Sequence, residues 1–149
     1  MGRSQRQKGS RVERLLRDEL RKHGFEADRA PLSGAAQGFK GDVRGVKDGR
    51  TFTFEVKARA TAFKTIYDLF NDFHEEGVLR MMVGRELIII ANSFAGTQTV
   101  TGTYQEAQGR LANRILNLRK LLGEAQILAI KGDREPFLYL AYLGVVDGT

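Results

Sequence analysis

Asp42, Glu55 and Lys57 are the residues whose types and spacing carry the most chemistry in this chain. Two carboxylates supply hard oxygen ligands or an acid and a base, and a lysine supplies a cation beside them. A turn signal brings them together. Lys47-Asp48-Gly49-Arg50 has Asp-Gly as its central pair, which predicts a two-residue hairpin turn between strands at 42–46 and 51–59. Counting back from the turn places Asp42 opposite Glu55, with Cβ atoms ~5 Å apart. Glu55 and Lys57 are two apart and share a face. Phe52, Phe54 and Val56 take the other face and point into a core.

Two opposed carboxylates repel, so the arrangement calls for a proton, a lysine or a divalent cation between them. Hard oxygen donors select Mg²⁺ or Mn²⁺, ions that keep waters and bind substrate phosphates. A lysine beside such an ion, facing a phosphodiester, has the makings of metal-assisted hydrolysis. Glu-x-Lys alone is a common tripeptide and is more simply the solvated face of an amphipathic strand. Asp42 in register and a basic helix nearby favour the chemical reading. Lys40, Arg44 and Arg59 flank the acidic pair, and Arg44 shares its face, so they extend a phosphate-binding surface in that reading. The chain has no cysteine and only two histidines, His23 and His74. That excludes thiolate sites and leaves no Ser-His-Asp arrangement to argue.

The elements that must position this hairpin are legible in outline. Ser10 to His23 reads as a helix, with Ser10 and Glu13 as an S-x-x-E capping box. Its Val12, Leu15, Leu16 and Leu20 form an apolar stripe, with Arg14, Arg17 and Arg21 opposite. Residues 1–9 read as a flexible basic tail. From Met1 to Lys22 there are eight basic residues and three acids, which is most of the net charge of +6. Further strands are expected at 25–30, 79–83, 86–92, 126–130 and 137–143, and further helices at 61–76 and 104–122.

The 149 residues make one domain of ordinary size, 42% hydrophobic and 28% charged. Residues 10–149 are expected to form that single domain. Helices and strands alternate, which predicts an α/β or α+β fold with a central mixed β-sheet flanked by helices. No apolar stretch approaches the ~20 residues of a membrane span, and the basic N-terminus lacks the apolar segment of a secretory signal. The expectation is a cytoplasmic protein with polyanion partners, nucleic acid first.

A glutamate on the first helix, then Asp42, then Glu55-Val56-Lys57 on a hairpin, resembles the PD-(D/E)xK nuclease superfamily with its restriction-endonuclease-like fold. The chain looks like one branch of it, the archaeal-type Holliday-junction resolvases. Lys8-Gly9, Glu13-Arg14, Gly24-Phe25, Arg29 and Ser33-Gly34 stand in that family's order ahead of the acidic pair. The resemblance implies that Asp42 and Glu55 hold Mg²⁺, with Mn²⁺ able to substitute, helped by the Val56 carbonyl and by Glu13 directly or through water. It implies that Lys57 orients the attacking water or stabilises charge on the phosphorane, and that Ser33 contacts the scissile region. Arg14 and Arg29, with Arg11 and Arg17 of the same basic segment, would meet DNA phosphates. The implied activity is paired nicking of four-way junctions by a homodimer, near the nucleoid or in the host cytoplasm of a phage. The alternatives are cleavage of flaps, ends or duplex by another nuclease of the superfamily, and a non-catalytic nucleic-acid-binding module. The chain departs from the family pattern in two places. Gly41 stands where the family has proline, and 61–103 reads as an insertion similar to segments of phage relatives.

Overall fold

The computed structural model describes residues 2–30, 41–94 and 103–146, with the backbone alone described for 2–8 and 146. The element order is α1 (Gly2–Lys22), β1 (Glu26–Arg29), β2 (Val43–Lys47), β3 (Arg50–Ala58), α2 (Lys64–Phe73), β4 (Val78–Val83), β5 (Glu86–Ala91), β6 (Gln105–Glu106), α3 (Gly109–Leu116), α4 (Leu118–Leu122), β7 (Ile127–Lys131), β8 (Leu138–Tyr142) and α5 (Leu143–Val146). The strands form one sheet in the order β1-β2-β3-β7-β8-β5-β4-β6. It is mixed: β3 runs parallel to β7 and β4 to β6, and the other pairs are antiparallel. This is the expected α/β class, a mixed sheet flanked by helices.

Alternation along the central strands builds two cores. Ile127 and Ala129 of β7 face the stripe of α1, Val12, Leu16 and Leu20, together with Phe25, Val43 and Phe54. Leu128 and Ile130 face the opposite layer, where Ile66, Tyr67 and Phe70 of α2 meet Ile115, Leu118 and Leu122 of α3 and α4. The central strands are therefore apolar on both faces, as a parallel pair with helices on each side requires.

The β2–β3 hairpin forms as expected. Asp48 and Gly49 both take positive φ, 54° and 76°, which a tight primed turn demands. Lys47 pairs with Arg50, and the register continues to Val43 opposite Phe54. The strand pairs β4–β5 and β7–β8 also stand close to their expected positions.

Three expectations are corrected. The first helix begins at Gly2, so it includes most of the stretch expected as a flexible tail. Ser10 therefore lies inside the helix, where no orphan amides need a cap, and the capping box does not form. The helix expected over 61–76 is confined to Lys64–Phe73, because His74 is extended and Glu76 and Gly77 take positive φ into β4. The single helix expected over 104–122 is a short strand and two helices. Gln105 and Glu106 pair with the open edge of β4, and the helix breaks at Asn117, letting Ile115, Leu118 and Leu122 all reach the core.

The segment read as an insertion supplies α2, β4 and β5. Its two strands add to the sheet beyond β8, remote from β1, β2 and β3. The hairpin and its neighbour β7 are thus built without them. No described helix is long and apolar enough to cross a membrane.

Candidate active site

β3 outlasts its partner on β2. The last paired residue of β2 is Val43, opposite Phe54, while β3 continues through Ala58 against β7. Glu55 and Lys57 occupy this extension, beside Leu128 and Ile130 of β7. The ladder therefore ends one residue short of the expected Asp42–Glu55 pair.

Asp42 nevertheless grips the same stretch of β3. Its amide donates to the Phe54 carbonyl at 2.8 Å. Its carboxylate Oδ2 accepts the Val56 amide at 2.9 Å. The two bonds fall on either side of Glu55 and hold the acids together. Gly41 makes this approach possible. Its φ is +145°, and a Cβ there would lie 2.7 Å from the Phe54 carbonyl oxygen. Proline, fixed near −65°, cannot take that conformation. The glycine is thus a requirement of this chain's backbone.

The electrostatics follow from the crowding. Burial, then the charge of Asp42 and a hydrogen bond to it, push the Glu55 carboxyl up to about 7 against the pull of Lys57. Lys57 Nζ stands 3.7 Å from Glu55 Oε1. Two carboxyl groups that share a proton can share a small cation in its place. Burial and the charge of Asp42 also raise Glu13, so the helix acid feels the site.

Glu13 does not join the pair directly. Arg29 of β1 holds it with Nε and Nη2, both at 3.3 Å. The same Nη2 donates to Ser10 Oγ at 2.6 Å. Arg29 thus ties α1 to β1 beside the acids. Among the described residues, no group of three or more His, Cys, Asp or Glu side chains is arranged to hold a metal ion. Asp42 and Glu55 remain, two hard carboxylates next to the backbone of Val56. Mg²⁺ is commonly held by one or two carboxylates, with waters and substrate phosphates filling its shell, so the donor set fits it.

A cleft of about 500 Å³ opens beside the pair, lined by Gly9, Val12, Glu13, Val56, Lys57, Ala58 and Arg59. Arg59 lines it and donates to the Ala58 carbonyl. Arg11 lines an adjoining cleft with Arg134. Arg44 is exposed on β2, in register with Thr53 and so on the face of Glu55. Arg14 is exposed on α1, whereas Arg17 is bonded to its neighbour Asp18. Ser33 and Lys40 lie outside the described residues. His23 meets Glu19 one turn back in α1, and His74 stacks on Phe70, so neither reaches the site.

Sequence reasoning missed Arg114 and Lys120, which line a cleft on the other side of Lys57. The surplus of Arg and Lys between 110 and 120 was the available signal. The helix over 104–122, expected as one rod, gave no reason to aim them at the hairpin.

The family model for archaeal Holliday junction resolvases matches residues 4–72. The match runs from the first turns of α1, through the hairpin, to Asp72 near the end of α2. No curated protein matches the chain significantly. The family match and the mixed sheet bear out the resemblance read from Glu13, Asp42 and Glu55-Val56-Lys57. Residues 4–72, which hold every site residue read from the sequence, are similar to the archaeal Holliday junction resolvase family of the PD-(D/E)xK nucleases.

Proposed function

We propose that the chain is a divalent-metal-dependent, structure-selective DNA endonuclease that resolves four-way junctions by paired nicks. The observation that carries this reading is the Asp42–Glu55 pair with Lys57 at 3.7 Å from Glu55, Lys57 also lining a cleft, all within the resolvase-like segment.

Asp42, Glu55 and the Val56 carbonyl would hold Mg²⁺ or Mn²⁺, and Glu13, kept in place by Arg29, would add negative charge beside it. The bound ion supplies an activated water and charge neutralisation at the scissile phosphate. Glu55 would have to release its proton to solvent to ligate the cation, because a ligating carboxylate must be ionised. The Val56 amide fixes the orientation of Asp42, so the carboxylate is set before substrate arrives. Lys57 Nζ donates hydrogen bonds to the attacking water or to a non-bridging phosphate oxygen, where charge grows as the phosphorane forms. Arg59, Arg11 and Arg14, with Lys40 and Ser33 from the sequence before Asp42, contact the DNA backbone.

Two symmetric nicks need two such sites related by a two-fold axis, so the working form is a C₂ homodimer. Its place is the cytoplasm, with the chromosomal DNA. A supercoiled plasmid that extrudes a cruciform tests the pairing of the nicks. A dimer acting within one encounter yields linear plasmid in Mg²⁺. Accumulation of nicked circles alone contradicts paired action.

A further inference from the structure

Lys57 belongs to two clefts. The second, of about 550 Å³, lies between the start of α2 and the α3–α4 pair. Lys57, Arg114 and Lys120 give it three cations, and no acid is among its lining residues. Phe63 and Leu121 form part of its floor, half-buried against the core beneath. Arg114 Nη1 donates to the Ala62 carbonyl at 2.6 Å, which fixes the arginine over the chain leading into α2. A guanidinium has five N–H donors, and this bond takes one. A cationic rim over an apolar, partly aromatic floor is what a single nucleic-acid strand requires. Phosphates meet the rim, and a sugar or base face meets the floor. The cleft on the opposite side, with Arg11 and Arg134, also carries Asp133 and offers a weaker field.

We infer that the α2/α3–α4 cleft seats the DNA strand on one side of the scissile phosphate. Arg114 and Lys120 hold its phosphates, and Phe63 presents an apolar face to a sugar or base. The inference rests on the nuclease reading and extends it to residues beyond the matched segment 4–72. Continuity argues for DNA as the occupant, since Lys57 faces both the acidic pair and this cleft.

The test is binding of a fluorescent four-way junction by anisotropy across a salt series in EDTA, where cleavage is off. Lys120→Gln, Arg114→Gln and the double variant are compared with wild type and with Arg85→Gln. Arg85 is exposed in the β4–β5 turn, so its variant matches the charge change away from the cleft. Each lost phosphate contact lowers the slope of log K against log salt by about 0.7 to 0.9. The expected result is two such steps for each single variant, one from each protomer of the dimer, four for the double variant, and none for Arg85→Gln. Equal slopes for all the proteins overturn the inference. Parallel cleavage assays in Mg²⁺ keep the two readings apart. Cleavage by wild type with unchanged slopes removes the cleft and keeps the nuclease. Reduced slopes without cleavage by wild type keep the cleft as a DNA site and remove the nuclease.

Discussion

At the scale of single residues, Glu55 reports the state of the site. Burial and Asp42 hold its carboxyl at about 7, against 4.5 for an ordinary glutamate. Between those values the folded chain keeps a proton that the unfolded chain has released. The unfolded state then binds fewer protons, so stability falls as pH rises across that window. Thermal unfolding in EDTA should show this decline, and Glu55→Gln should remove most of it, leaving the part that comes from Glu13. Mg²⁺ affinity should rise over the same window, because the cation competes with that proton. Calorimetry checks this, and Asp42→Asn should abolish uptake. Lys57→Ala should lower cleavage by ~10²- to 10³-fold while binding of uncleaved junction persists, as expected for a donor aimed at developing charge. The acids and lysine were legible because a hairpin has a period of two and its turn announced itself at Asp48-Gly49. The tie of Arg29 to Glu13 and Ser10 was not, because it joins a helix to a strand and follows no sequence period.

At the scale of elements, the site depends on how β2 leaves β3. Gly41 carries the chain past the Phe54 carbonyl with a φ that side chains rarely adopt. Gly41→Ala should cost about 1–3 kcal/mol of stability, and it should lower cleavage more than DNA binding, because Asp42 loses its grip on β3. Chemical denaturation beside a cleavage assay separates the two effects. Leu16 of α1 is fully buried between the helix and the hairpin. Leu16→Ala should cost ~2–5 kcal/mol, read by the same denaturation, and should loosen the helix that presents Glu13. Strand pairs with tight turns stood where their patterns put them. The helix ends did not, because capping signals are local while the start of α1 and the break at Asn117 answer to packing. A glutamate three residues after a serine looks like a cap whether or not the helix begins there. Nothing in the composition of 104–122 distinguishes one helix from two helices and an edge strand.

At the scale of the whole molecule, a net charge of +6 and three adjoining clefts around β3 describe a surface for a polyanion. Recognition through phosphates reads geometry rather than sequence, so junctions of unrelated sequence should bind alike, with affinity falling steeply in salt. Competition among junctions of different arm sequence checks this. The fold class was legible from the alternation of helices and strands. The joining of β4 and β5 beyond β8 was not, because strand order within a sheet is set by long-range pairing that no local pattern encodes. The most direct measurement of the central claim uses end-labelled four-way junction, Y-fork and linear duplex, with and without Mg²⁺, beside Glu55→Gln. The account predicts metal-dependent paired nicks in the junction, lost in the variant. Tight junction binding without cleavage in Mg²⁺ or Mn²⁺, or cleavage that survives Glu55→Gln, would contradict it.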